Sequence, residues 1–253
     1  MPPMTTHLVI GERVFRQFAQ LESLRPVYGA FLLGCLLVDV NGFSDIDRSI
    51  THFDDDHFGP HPCGANNFID QLEGLLIYLW RNLCNEGKAF VLGYYCHLSA
   101  DEEWKLGNHK LRDALGVQRL SQLIPVDVIL TEFDVQSNGM FQDSCALHKA
   151  LEKASVPNVL THVPQVTFQR MWEIIQTHVL IHSSPDTFVD MIIRNGATPE
   201  EAENVRQEHK QYHEKADAMI DEFFGGVRPR TESMINYTFA KMPAFWEKFP
   251  LGN

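Results

Sequence analysis

Apolar residues recur at three- and four-residue spacing along most of this 253-residue chain, and apart from PVDVIL at 125–130 strict alternation does not persist beyond four or five positions. That pattern predicts helices, because residues at i, i+3, i+4 and i+7 share one face of a 3.6-residue turn. A first helix is expected from a cap at Thr5 or Thr6 to about Leu24, with Leu8, Val14, Phe15, Phe18 and Leu21 as its apolar face. Pro26 breaks the chain. Residues 27–38 (VYGAFLLGCLLV) are apolar on all sides, which predicts a helix buried all round, with Gly29 and Gly34 admitting a close neighbour. It ends at Asp39, a carboxylate at the negative end of a helix dipole, so a positive group is expected beside it. A polar loop then leads through Thr51-His52-Phe53 to a turn rich in Asp, Gly and Pro, whose DDDHFG run lacks the regular spacing and final Glu of a calcium loop.

Residues 67–84 carry Phe68, Leu72, Leu75, Leu76, Leu79 and Leu83 at helical spacing, and Glu86-Gly87 is read as the close of that helix. The central helix follows. Beyond it, helices are expected over 118–132 with a kink or break at Pro125, and over 143–153, 167–182 and 185–195. Thr198-Pro199-Glu200-Glu201 is a strong start for a helix that Gly225-Gly226 stops, and 230–249 can add another. There is no internal repeat and no linker rich in Gly, Ser or Pro, so residues 1–253 read as one all-α domain.

The chemistry concentrates in residues 90–104, FVLGYYCHLSADEEW. Gly93, His97 and Asp101 are each four residues apart and stack on one face. An imidazole and a carboxylate one turn apart can reach a single metal ion, and a Gly one turn earlier lets a neighbouring backbone come close. The ordinary alternative is a surface His–Asp pair contributing a few tenths of a kcal/mol.

Composition narrows the partners. A formal charge of −12 works against nucleic acid, which needs a basic footprint, and suits cations. Twelve His is the compositional anomaly. The five Cys form no CxxC pair and, being odd in number, no disulfide framework, which fits reduced thiols in a cytoplasmic protein. The first eight residues show no signal-peptide pattern, and the longest apolar run, 30–38, is half a bilayer span, so no stable membrane insertion is expected.

His7, Asp39, His52, His97 and Asp101 come from four separate segments and together form a nitrogen and oxygen donor set suited to zinc or another divalent ion. Each alone has a plain explanation as a helix-start, cap, loop or surface residue. Thr6-His7, the FLLG segment leading to Asp39, Thr51-His52-Phe53 and GYYCHLSADEEW resemble the zinc-dependent phospholipase C family, and its short bacterial members most closely. The similarity covers about residues 3–105, the metal-site half, and leaves a helical half of about 106–253. It implies a multi-helix bundle of that family's type, holding one to three Zn²⁺ ions and hydrolysing phosphate esters, either small molecules or lipid head groups. It further implies that Asp39, His52, His97 and Asp101 surround one metal and that Asp101 bridges to a second, which His7 also binds. Asp39 and Asp101 are then the catalytic carboxylates, and a hydroxide held by the ions attacks phosphorus.

The chain also departs from that family. It begins MPPMT where secreted members expose a Trp whose amine and carbonyl bind metal, and Val38 precedes Asp39 where a Pro is usual. His109, His148 and Glu152 are the candidates for a third metal. His178–His182 and His209–His213 also have i,i+4 spacing and read as solvated helix faces. Two non-catalytic readings compete: a helical protein with a structural metal site, and a binding module derived from the enzyme fold. The single-strand nucleases of the same fold are a second enzyme reading, disfavoured by the acidic charge balance.

Overall fold

The computed structural model describes residues 3–53, 63–159, 163–178 and 196–251, with positions 189 and 193 between the last two. It is all-α, with no strand among the described residues. The helices are α1 (Met4–Gln17), α2 (Tyr28–Leu37), α3 (Arg48–His52), α4 (Gly64–Asn82), α5 (Asn85–Leu115), α6 (Val126–Ser137), α7 (Ser144–Glu152), α8 (Gln165–His178), α9 (Pro199–Phe224) and α10 (Val227–Lys248). The expected helix over 185–195 lies outside the described residues apart from Val189 and Ile193, which are helical.

The organising element is α5, 31 residues long and buried along most of its first half. Its main partner is α2, and α1, α4 and α10 pack around the pair while α6 and α9 pair alongside. Leu32, Leu33, Leu37, Phe31, Phe90 and Tyr94 are fully buried at this centre. Each contributes about 1.5–3 kcal/mol from the apolar surface removed from water. The two backbones touch because two glycines face each other. A Cβ on Gly34 would overlap the Phe90 carbonyl oxygen, and one on Gly93 would overlap that of Phe31.

Several boundaries differ from the expectation. The first α-helix ends at Gln17 rather than Leu24, because Phe18 is extended and a 3-10 segment, Ala19–Val27, carries the chain through Pro26. Thr5 and Thr6 are not caps but sit inside α1, and a remote carboxylate serves its first turn: Thr5 N–H donates to Asp134 Oδ1 at 2.8 Å. The same device recurs. Buried Glu12 accepts the Gln142 and Asp143 N–H groups ahead of α7, and buried Glu102 accepts the Ala65 N–H at the start of α4. Gly87 closes nothing and lies in the first turn of α5. The expected interruption at Pro125 is a break and not a kink: only a 3-10 turn, Leu120–Gln122, precedes it, and α6 starts immediately after it, where its missing N–H costs nothing. Thr198 and Glu201 form the reciprocal capping box that starts α9, and Gly225 ends it at φ 69°.

Residues Ala19–Asn41 form a helical stretch long and apolar enough to cross a membrane, and 72% of its apolar window is buried inside the fold. That is longer than the apolar run read from the sequence, because the 3-10 segments extend the helical path at both ends of α2.

The close crossing sets the first test. Gly93→Val is expected to lower stability in urea by about 3 kcal/mol, since overpacking against backbone leaves nothing soft to move. Gly139→Ala, where an added Cβ meets nothing within 4 Å, should change it by less than about 0.5 kcal/mol.

Candidate metal centre

The close approach of α2 and α5 determines where His97 points. With Gly93 against Phe31 and Cys35, the imidazole one turn later lies within 2.7 Å of the Cys35 carbonyl oxygen through Nδ1. A carbonyl only accepts, so Nδ1 carries the proton and Nε2 presents its lone pair inward. That is how proteins fix an imidazole for metal binding. His52 is held in a related way at the end of α3. Thr51 Oγ1 donates to the Arg48 carbonyl at 3.2 Å and lies 2.8 Å from His52 Nδ1, while Tyr94 of α5 donates to the Thr51 carbonyl at 2.5 Å. Asp47 caps α3 by accepting the Ser49 N–H, and Phe53 ends it at φ 54°. Where a loop is expected from sequence, a five-residue helix forms, bounded by the Asp47 cap and the left-handed Phe53.

Asp39 leaves α2 on a kinked 3-10 segment, Val38–Phe43, rather than on a loop. Its Oδ1 is 3.1 Å from His52 Nε2 and 3.5 Å from His97 Nε2. One turn along α5, Asp101 faces both sides of the cluster. Its Oδ1 is 3.5 Å from His7 Nε2 and 3.9 Å from His97 Nε2, and its Oδ2 is 3.4 Å from His52 Nε2. The His7 ring, from the first turn of α1, stacks on His97 with centroids 3.6 Å apart and planes 8° from parallel. All five candidates therefore converge, and each is only 1–4% exposed.

Two groups of donors could hold a metal ion: His7, His97 and Asp101, and Asp39, His52 and His97. Within each, the ligand atoms lie within 4.8 Å of one another. Donors around a tetrahedral ion with bonds of about 2.0–2.2 Å are ~3.4 Å apart, close to the spacings seen here. The residues fit such an ion in a second respect. Both nitrogens of His7, His97 Nε2 and Asp101 Oδ1 are buried without a hydrogen-bond partner, which a folded protein rarely tolerates at one point. His97 belongs to both groups, but one lone pair serves one ion, whereas the two oxygens of Asp101 reach both sides.

Arg48, absent from the candidates drawn from sequence, also reaches the cluster. Its Nη2 donates to Asp101 Oδ2 and its Nη1 lies 3.6 Å from Asp39 Oδ1. It is the positive group expected beside Asp39, and its place one turn before His52 on α3 was the available signal. His109, His148 and Glu152 do not join: His109 pairs with Asp113 on its own helix at 3.0 Å, Glu152 is exposed on α7, and no donor group among the described residues includes any of the three. Glu103 turns away to hold Arg230 and Ser233, and Glu102 holds Tyr237 and Lys241. The side chains of His178 and His182 lie outside the described residues. His209 is not a solvated-face residue, since its Nε2 is 2.8 Å from buried Glu132, joining α9 to α6. A small cleft of about 10 Å³, room for roughly one water, adjoins the cluster and is lined by His52, Gly64, Leu98, Asp101, Glu102 and Lys105.

Charge is distributed unevenly over the cluster. Burial pushes His7 down to about 4, with neighbouring His97 adding to the effect, and burial also pushes His52 down to about 4. Burial would lower His97 too, but Asp39 and Asp101 outweigh it and hold His97 above its ordinary value. Burial would raise both carboxylates; His97 and His52 keep Asp39 low, and Arg48 and His7 keep Asp101 low. No protein-family model, curated protein or solved structure matches the chain.

These shifts set the acid sensitivity of the chelator-treated protein. His7 and His52 stay neutral in the fold down to about 4 but take protons near 6.5 when unfolded. Stability should therefore fall as pH drops from about 6.5 towards 4, by about 1.4 kcal/mol per pH unit for each histidine. His97 works the other way, its contribution being complete below 6.5 and lost as pH rises above that value. Urea melts of chelated protein across pH 6.5 to 4.5, where His97 is protonated in both states, check the sign; stability that is flat or rises on acidification within that window would contradict it.

Proposed function

We propose that the cluster is a divalent-metal centre, zinc by its donor chemistry, and that the protein hydrolyses phosphate esters. The convergence of three imidazoles and two carboxylates from four elements, with buried lone pairs left unpartnered, carries the metal reading. The resemblance of the same residues to the zinc-dependent phospholipase C family supports the reaction class and the bundle type. Bound there, such an ion supplies a nucleophile at neutral pH and charge to offset the phosphoryl oxygens. The chain's own part is positional. The Cys35 carbonyl and Thr51 hydroxyl fix the tautomers of His97 and His52, Asp101 faces His7 with one oxygen and His52 with the other, and burial of all five side chains excludes bulk water. The small size of the cleft at His52 and Asp101 and the acidic balance favour a small soluble ester over nucleic acid.

The depth of the site supports a second reading, a closed structural metal site, since none of the five donors is more than 4% exposed. Metal analysis of the purified protein, with turnover of bis(p-nitrophenyl) phosphate and p-nitrophenyl phosphate, separates the two. Turnover abolished by chelation and restored by Zn²⁺ is expected. Asp101→Asn should weaken metal binding on the order of 10–100-fold or more and lower turnover with it, while His109→Ala changes neither. An Asp101→Asn protein with full metal content and full activity would sink the proposal. A metal-replete wild type that hydrolyses neither ester would leave the structural reading.

A further inference from the structure

Arg48 is an unusual neighbour for a cation site. A metal-binding cluster gains affinity from uncompensated carboxylate charge, yet here a fixed cation touches both carboxylates at once. The atoms it engages are the ones an ion needs. Nη1 lies 3.6 Å from Asp39 Oδ1, the oxygen shared with His52 and His97, and Nη2 donates to Asp101 Oδ2, the oxygen facing His52. An ion bonded to those oxygens at about 2.1 Å would face the guanidinium across one carboxylate, two like charges in a poorly solvated place. Arg48 is also closer to solvent than the ligands, its side chain being 17% exposed while those of Asp39 and Asp101 are 4% and 5% exposed.

We infer that Arg48 is an internal cation competing with the metal: it holds Asp39 and Asp101 together without an ion, and an ion enters by displacing the guanidinium towards solvent. The inference rests on the metal-centre reading above. Its consequence is a loadable site whose affinity is held below what five such donors would otherwise give. Removing that cation would leave two buried carboxylates with unpaired charge, which is costly.

The test titrates Zn²⁺, and Co²⁺ for its visible absorption, into chelator-treated full-length protein by calorimetry and by competition with a chromophoric chelator. Arg48→Met keeps the stem and removes the charge; Arg48→Lys keeps a charge but only a single point of contact. Arg48→Met is expected to bind metal at least tenfold more tightly than wild type. Its chelated form should melt below wild type and gain more on adding Zn²⁺. Arg48→Lys should fall between the two. If chelated Arg48→Met does not fold, refolding driven by Zn²⁺, together with the Arg48→Lys affinity, carries the same test. Equal or weaker affinity in both variants would show that Arg48 supports the ligands from behind and would overturn the inference while leaving the metal centre standing. A wild type and variants that all give no binding heat and no cobalt spectrum would remove the metal reading itself, and this inference with it.

Discussion

At the crossing of α2 and α5, Gly34 and Gly93 bring two helix backbones into contact, and the candidate site depends on that contact. Because α5 lies directly on α2, the Cys35 carbonyl is near enough to accept a hydrogen bond from His97 Nδ1–H, and Asp39 leaves the end of α2 beside the same imidazole. One turn further along α5, Asp101 meets His7 from α1 and His52 from α3. A larger side chain at either glycine would separate the helices, and the donors would no longer share one centre. Packing and chemistry are therefore one constraint: the tightest part of the core aims the most polar part.

Burying that polarity needs compensation. The cluster places three imidazoles and two carboxylates almost out of solvent, where an unpaired charge is unstable. Part of the balance is internal, since His97 is held protonation-prone by the carboxylates while His7 and His52 are driven neutral by burial. Part comes from Arg48. What remains, the unpartnered nitrogens of His7 and the inward Nε2 of His97, is chemistry of the kind a divalent ion completes. Elsewhere the fold treats buried carboxylates differently: Glu12 and Glu102 are consumed by the N–H groups that open α7 and α4, and offer nothing to an ion.

The helices with strong local signals were legible from the chain alone. The all-apolar run before Asp39, the stripe of Gly93, His97 and Asp101, and the Thr198–Glu201 start each follow from spacing or capping chemistry, and α2, α5 and α9 lie there. The boundaries that sequence misplaced are those decided from far away. Asp134 serves the start of α1 across more than a hundred residues, so the local Thr signal misleads. Arg48 escaped notice for the same reason: its partners Asp39 and Asp101 are nine and 53 residues away, and only the demand for a positive group beside Asp39 hinted at it. Conversely, His148 and Glu152 share i,i+4 spacing with His97 and Asp101, yet Glu152 is exposed on α7. Spacing prepares two ligands on one helix, and only tertiary packing decides whether others arrive.

The central claim is that His7, Asp39, His52, His97 and Asp101 hold a divalent ion. X-ray absorption at the zinc edge of stoichiometrically loaded full-length protein tests it most directly. The account expects a first shell of nitrogen and oxygen only, at about 2.0–2.1 Å, with imidazole scattering behind it that diminishes in His97→Ala. A sulfur shell at about 2.3 Å, drawing on Cys63 or another thiol instead, or a spectrum unchanged by His97→Ala, would contradict it.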